Sequence, residues 1–148
     1  MTILVSACLL GVCCRYDGAS KPCPAVIAAA QRHTLIPICP EIYGGLPTPR
    51  PPAERRSDRI IARDGRDVTA EYTRGAQETL RLAQISGARC AILKEKSPSC
   101  GHGRIYDGTF TGTLTNGDGL TAQLLSQAGL ELHGETEAEA WLQSLDGQ

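Results

Sequence analysis

The stretch TILVSACLLG, residues 2–11, decides the fold because a short strand in it runs directly into a cysteine. Residues 2–5 are apolar or β-branched, a composition typical of a β-strand. The run ends at Ser6 and Ala7, and Cys8 follows at once. The pattern predicts a first strand that delivers a cysteine at its carboxyl end.

Three further predicted strands follow, separated by segments with helical periodicity. The order βαβ…αβ…αβα predicts an α/β fold with a doubly wound, mostly parallel, Rossmann-like sheet and helices on both faces. No repeat or linker divides the sequence, so we expect a single domain over residues 1–148. The predicted strands are 2–5, 34–41, 88–93 and 130–134, and the predicted helices are 25–33, 69–87, 120–130 and 136–145.

Two long connections interrupt this alternation. Residues 42–67 are rich in Pro, Gly and Arg, and the prolines favour an extended polyproline path. Long ordered connections in small domains are usually functional or covering segments. Residues 104–119, RIYDGTFTGTLTNGDG, form a second, turn-rich excursion.

Composition and charge exclude several classes of function. The chain has 148 residues, 21% of them charged, and a net charge of -1. It lacks the basic excess that phosphate binding requires, so we expect no stable nucleic-acid complex. No apolar run is long enough to span a bilayer, and residues 1–14 lack the basic start of a secretory signal. We expect a cytoplasmic protein without a membrane partner, as a monomer or small homo-oligomer.

Seven cysteines are unusual for a chain in a reducing compartment, where disulfides are disfavoured. Cys8, Cys39 and Cys100 each follow a predicted strand, and Cys14 lies in the first of these loops. Ligands of open α/β sheets bind outside the carboxyl ends of the strands, so these thiols are expected to converge there. The remaining cysteines are expected to be packing residues; they are Cys13, Cys23 and Cys90.

The spacing of these cysteines favours one type of metal centre over another. Zinc sites commonly show a CxxC pair, and the sequence has none. Dispersed single cysteines suit an iron–sulfur cluster held at three corners, with one iron open to a soft ligand such as sulfur. Two alternatives remain open: a fully ligated cluster for electron transfer, and a thiol enzyme whose nucleophile is activated by His102.

Polar residues near the same sheet edge are candidates for chemistry. Glu41 lies two residues after Cys39 and can move protons. Ser97 and Ser99 flank Pro98, and either hydroxyl can hydrogen-bond a substrate or satisfy the backbone. Arg50 is a candidate for binding a polar edge of the substrate.

Several motifs resemble the thiouracil desulfidase family, and the resemblance extends in order over nearly the whole chain. The motifs are SACLLGVCCRYDG at 6–18, CPEIYGGLPTPRPPAE at 39–54, AILKEKSPSCG at 91–101, IYDGTFTG at 105–112 and GDGLTAQLL at 117–125. The resemblance implies a [4Fe-4S] cluster with one free iron. It also implies that sulfur is removed from a thiolated pyrimidine without net redox change: the substrate sulfur binds the free iron, water attacks the carbon, and sulfide leaves.

The same resemblance assigns roles to residues of this sequence. It implies Cys8, Cys39 and Cys100 as cluster ligands, with Cys14 as an alternative to Cys8. It implies Glu41 and Ser97 as the pair that handles protons or binds substrate. The expected partner is a small thiolated nucleobase such as 2-thiouracil. The alternative function is a non-catalytic iron–sulfur or metal-binding module, acting as a redox sensor or cluster carrier.

Overall fold

The centre of the fold is a parallel four-stranded sheet, seen in a computed structural model that describes residues 1–147. From one edge of the sheet to the other, the strands are Thr34–Ile38, Thr2–Ser6, Cys90–Leu93 and Glu131–Gly134, and every neighbouring pair is parallel. The predicted doubly wound α/β fold is confirmed. The strands are β1 (Thr2–Ser6), β2 (Thr34–Ile38), β3 (Ala53–Arg56), β4 (Arg59–Ala62), β5 (Cys90–Leu93), β6 (Arg104–Tyr106), β7 (Leu114–Asn116) and β8 (Glu131–Gly134).

Alternate side chains along each strand pack in two separate cores, one on each face of the sheet, because successive strand residues point to opposite faces. Ile3 pairs with Cys90 and faces one core, whereas Leu4 pairs with Ala91 and faces the other. The central strands β1 and β5 are therefore apolar on both sides. This explains why their sequences are short continuous apolar runs.

The helices divide between the two faces of the sheet. Buried residues of α1 and α5 pack in the first core, and those of α3 and α4 pack in the second. The helices are α1 (Pro24–Ala29), α2 (Pro40–Tyr43), α3 (Thr69–Ser86), α4 (Leu120–Gln127) and α5 (Glu135–Asp146), and a 3-10 helix (Ala7–Leu10) follows β1.

None of the helices within residues 1–147 has both the length and the apolar character needed to cross a membrane.

The two long connections contain antiparallel hairpins that the sequence reasoning missed. β3 pairs with β4 inside the segment expected to follow a polyproline path, and β6 pairs with β7 inside the turn-rich excursion. The prolines precede β3 rather than lying within it. Glu54 joins the two hairpins, because its Oε1 accepts hydrogen bonds from the backbone N–H groups of Gly108 (3.0 Å) and Phe110 (3.1 Å).

The short helix α2, also unexpected, packs against α3 with the two backbones in direct contact. A Cβ atom built on Gly44 would lie 1.9 Å from the carbonyl oxygen of Glu71, and one built on Gly75 would lie 1.9 Å from that of Pro40. Only glycine allows so close an approach at either position. This contact fixes where α2 presents Glu41.

Candidate metal centre and active site

A cavity of about 560 Å³ opens at the carboxyl edge of the parallel sheet. The loops after β1, β2 and β5 line this cavity, and residues of the two hairpins contribute further lining. Four free thiols line this cavity: Cys8, Cys14, Cys39 and Cys100. The structure therefore brings together the thiols that strand topology predicted to meet.

Cys8 is held in the 3-10 helix that begins where β1 ends. It is 7% exposed, and this burial raises the pKa of its thiol to about 11. The ammonium group of Lys94 opposes that effect of burial on the pKa. Lys94 lies at the end of β5, lines the same cavity and pairs through Nζ with Glu135 Oε1 at 2.8 Å. A positive charge thus stands close to the first thiol.

Cys39 and Cys14 form an interacting pair. The Sγ of Cys39 donates a hydrogen bond to the carbonyl oxygen of Cys14 at 3.7 Å. A hydrogen bond from the Cys14 thiol, together with the backbone N–H of Ile42, holds the pKa of Cys39 below its ordinary value, although burial acts in the opposite direction. The same interaction and burial raise the pKa of Cys14 far above its ordinary value. Cys39 is thus the thiol of this pair that ionises first.

A tight turn held by Ser97 carries Cys100. The Ser97 hydroxyl oxygen accepts hydrogen bonds from the backbone N–H groups of Ser99 and Cys100, both at 3.0 Å. Burial raises the pKa of Cys100 well above its ordinary value, and a hydrogen bond with the Ser6 hydroxyl offsets part of that effect. Ser97 lines the cavity and keeps its own hydroxyl hydrogen for donation.

Glu41 has one engaged carboxylate oxygen and one free one. Its Oε1 accepts hydrogen bonds from Arg50 Nε at 2.9 Å and from the Tyr72 hydroxyl at 2.8 Å. Within residues 1–147, Oε2 has no hydrogen-bond partner, and it is not a buried unsatisfied atom. Since Glu41 lines the cavity with 18% of its side chain exposed, Oε2 is the oxygen open to the cavity.

Arg50 organises two of the loops around the cavity. Beyond its bond to Glu41, Nη1 donates to the carbonyl oxygen of Pro47 and to Thr48 Oγ1, both at 3.1 Å. Nη2 donates to the carbonyl oxygen of Cys14 at 2.8 Å. Of the five guanidinium N–H groups, these contacts leave one on Nη2 without a partner among the described residues.

Ser99, predicted as a substrate-binding residue, does not line the cavity. The residue is 0% exposed, and its hydroxyl shares a hydrogen bond of 2.8 Å with Thr121 Oγ1. Its backbone carbonyl accepts hydrogen bonds from Thr121 and Ala122 at the start of α4. This placement gives no support to a direct substrate contact and instead joins the Cys100 turn to α4.

The three cysteines that were expected to be packing residues are not among the residues that line the cavity. Cys90 is buried within β5 and Cys23 is half-buried at the start of α1, as expected of packing residues. Cys13 is exposed, so the expectation that it packs is wrong. His102, the expected activator in the thiol-enzyme alternative, pairs through Nδ1 with Asp118 Oδ1 at 3.1 Å and does not line the cavity.

A sequence profile described as 2-thiouracil desulfurase matches residues 3–137.

The chain belongs to the 2-thiouracil desulfurase family.

Two relatives illustrate how closely the chain follows this family's proteins. The solved structure titled "[4Fe-4S]-dependent thiouracil desulfidase TudS" has 45% sequence identity and a TM-score of 0.89, over 99% of each chain. A Bacillus subtilis (strain 168) protein, "Uncharacterized protein YbbK", is 42% identical over 145 residues, covering 91% of this chain and 96% of its own length.

Three residues that the sequence analysis of this desulfurase-family chain did not single out also line the cavity. Lys94 and Glu54 are cavity-lining charged residues, and Tyr72 reaches the cavity from α3. Lys94 could have been found, because it directly follows a buried strand at the predicted ligand edge. Glu54 and Tyr72 gave no local signal, since one lies in a missed hairpin and the other matches the apolar face of a helix.

Proposed function

We propose that the protein removes sulfur from a thiolated pyrimidine, 2-thiouracil or a similar base, to give uracil and sulfide by means of a [4Fe-4S] cluster. Family membership and the likeness to the cluster-dependent desulfidase TudS support this proposal. The observation that carries it is the convergence of four free thiols with the carboxylate of Glu41 at one cavity. The net change replaces C=S by C=O, consumes one water and releases hydrogen sulfide, so no electrons are gained or lost.

The donor set of the cavity fits such a cluster. Cysteine thiolates are the standard ligands of [4Fe-4S] clusters, and the cavity offers four free thiols. Within residues 1–147, no three His, Cys, Asp or Glu side chains stand as close together as the ligands of a single ion. A cubane does not require that proximity, because each of its thiolates binds a different iron.

We assign Cys8, Cys39 and Cys100 as the three ligands, since each lies in the segment that follows a different parallel strand. Cys14 remains the alternative to Cys8, because it lines the same cavity and contacts Cys39. The bound cluster would supply a Lewis-acidic iron with affinity for sulfur. The lowered pKa of Cys39 suits a ligand that binds as a thiolate.

Glu41 is proposed to handle the proton of the attacking water. When water adds to the thiocarbonyl carbon it must lose a proton, and a carboxylate oxygen within hydrogen-bond reach accepts it. Oε2 is the oxygen available for this, because Oε1 is held by Arg50 and Tyr72. The same atom can return the proton to the departing sulfur.

Ser97 and Arg50 are proposed to orient the substrate. Ser97 can donate its hydroxyl hydrogen to an acceptor on the pyrimidine ring, while its oxygen keeps the Cys100 turn in place. Arg50 can contribute only the remaining N–H on Nη2, so its main effect on substrate passes through Glu41. For Ser99 we propose a supporting role, through Thr121, rather than a substrate contact.

The proposal also covers the setting in which the protein works. We infer that residues 1–148 form one desulfidase domain, supported by the family match over residues 3–137. Seven free thiols are consistent with a reducing, cytoplasmic environment. A monomer or small homo-oligomer, and the absence of a stable nucleic-acid complex, stay predictions.

The decisive experiment is anaerobic reconstitution with iron and sulfide, followed by single-turnover assays of sulfide and uracil formed from 2-thiouracil. Glu41→Gln should retain iron but lose turnover on the order of a hundredfold, the usual contribution of a general acid–base group. Glu78→Gln, an exposed carboxylate on α3, is the matched control and should behave as wild type. A brown, iron-loaded protein that releases neither product would refute the desulfidase and favour the non-catalytic iron–sulfur module.

A further inference from the structure

The carboxylate of Glu41 is held from one side only. Tyr72 and Arg50 both donate to Oε1, at 2.8 Å and 2.9 Å, and neither bonds Oε2. Two donors on a single oxygen fix the plane of the carboxylate and its rotation about the side chain. The second oxygen is left facing the cavity in one orientation.

Tyr72 reaches this position because α2 and α3 touch at their backbones. Gly75 lies one turn beyond Tyr72 on the same helix, and its Cα side packs against the carbonyl of Pro40. Gly44 makes the reciprocal contact with the carbonyl of Glu71. With the helices this close, the Tyr72 phenol is aimed at the residue that follows Pro40, which is Glu41.

The environment of Tyr72 makes its hydroxyl a permanent donor. The residue is 2% exposed and packs with Ile60 and Val68 in a core shared by β4 and α3. Burial, reinforced by the negative charge of Glu41, raises the pKa of Tyr72 far above its ordinary value. A buried tyrosine hydroxyl needs a hydrogen-bond acceptor, but a backbone carbonyl would be enough. The half-buried Tyr43 shows such a contact, because its hydroxyl donates to the Pro37 carbonyl at 3.0 Å.

We propose that Tyr72 is a positioning residue for Glu41: together with Arg50 it fixes Oε1, so that Oε2 alone is presented to the thiolated substrate. The inference rests on the proposed function as far as Glu41 handles the proton. The placement of the carboxylate itself does not depend on that function, and it can be tested separately.

The first test is structural and is made on the reconstituted protein. In crystals of Tyr72→Phe, which lacks only the hydroxyl, the Glu41 carboxylate should keep its contact with Arg50 but rotate or occupy a second conformer. Tyr43→Phe removes the hydroxyl of a less buried tyrosine at the end of α2, which bonds the Pro37 carbonyl and not Glu41, and should leave Glu41 in its original orientation. An unchanged single orientation of Glu41 in Tyr72→Phe would overturn the proposal, whether or not the protein desulfurates thiouracil.

The second test is a kinetic cycle on the same iron-loaded variants. Tyr72→Phe should lower kcat about tenfold with KM within about twofold, because the hydroxyl acts on the geometry of Glu41 and not on substrate affinity. In a Glu41→Gln background the same change should alter kcat less than about twofold. An equal loss in both backgrounds would show that Tyr72 acts independently of Glu41. Should the phenylalanine variant fail to fold, Tyr72→Met also lacks the donor, fills the space flexibly and is judged by the same outcomes.

Discussion

Replacing Gly75 with alanine sets two effects on stability against each other. Helix propensity alone favours the change, because alanine in a helix interior is better than glycine by about 0.8–1.0 kcal/mol. Packing opposes it, since the new Cβ would lie 1.9 Å from the carbonyl oxygen of Pro40 and 2.6 Å from its carbonyl carbon. Real Cβ contacts do not fall below 3.0 Å, so the two backbones must separate by the difference between 3.0 Å and 1.9 Å, about 1.1 Å.

Packing should win, because the obstructing atoms belong to a backbone and cannot rotate away as a side chain does. Overpacking in a well-filled interior costs about 1–3 kcal/mol. We expect the upper end of that range here, and subtracting the gain in helix propensity leaves a net loss of about 2 kcal/mol. A loss of about 2 kcal/mol lowers Tm by roughly 4–8 °C for a chain of this length. Thermal unfolding measured by circular dichroism gives this shift directly.

Gly75→Ala should also reduce iron content and the rate of sulfide release, because Pro40 lies between Cys39 and Glu41. A displacement of about 1.1 Å carries both neighbours away from their positions in the cavity. Misplacement on the 1 Å scale reduces rates on the order of a hundredfold. We therefore expect lower iron per protein and slower sulfide release from the folded variant, measured below its Tm.

Gln84→Ala, an exposed substitution on the same helix, is the control and should change stability by less than about 0.5 kcal/mol. If Gly75→Ala is as stable as wild type, or more stable, and turns over normally, α2 and α3 do not touch as described. The conclusion that this contact fixes the position of Glu41 would then be wrong as well.

Three further predictions concern the thiols. Cys90→Ala should keep its full iron content and lose only stability, by roughly one to a few kcal/mol, since Cys90 is buried in β5 away from the cavity; an iron assay showing loss of iron from the folded variant would contradict this. Ser97→Ala should lower iron content, because the N–H of Cys100 loses its acceptor; iron equal to wild type would mean that the turn holds without it. In cluster-free protein at neutral pH, iodoacetamide should modify Cys39 faster than Cys8, since the pKa of Cys39 is lowered and burial raises that of Cys8 to about 11. Peptide mass spectrometry should show that the difference between the two modification rates becomes smaller as pH rises. Faster modification of Cys8 at neutral pH would contradict this prediction.

The sheet and its thiols were predictable from sequence because both depend on local patterns. Short apolar runs such as residues 90–93, flanked by turn residues, are typical of buried strands. Parallel strands bring the segments that carry Cys8, Cys39 and Cys100 to one edge of the sheet. The hairpin of β3 and β4 was not predictable in the same way. Its strands have four residues each and carry arginines, so the prolines before them dominated the local signal.

The roles of individual polar residues depend on partners far away in sequence, and no local pattern records them. Ser97 and Ser99 are two residues apart, yet one faces the cavity and the other bonds Thr121, 22 positions further along the chain. Arg50 was predicted to bind a polar edge of the substrate, but four of its five N–H groups bond Glu41, Thr48 and the backbone carbonyls of Pro47 and Cys14. Only the assembled loops show that most of its donors are already used within the protein.

The contacts around the cavity show which substitutions disturb the thiol-bearing loops and which act on the Glu41 carboxylate alone. Ser97 and Arg50 each bond the backbone of a thiol-bearing loop, at Cys100 and at Cys14 respectively. Changing either residue alters the ligands and the substrate site together, so a slower rate there does not identify a catalytic role. Tyr72 donates its hydroxyl to Glu41 and makes no hydrogen bond to a cysteine among the described residues. A rate change at constant iron can therefore be attributed to the carboxylate when Tyr72 or Glu41 is changed, and these are the positions at which the chemistry should be tested first.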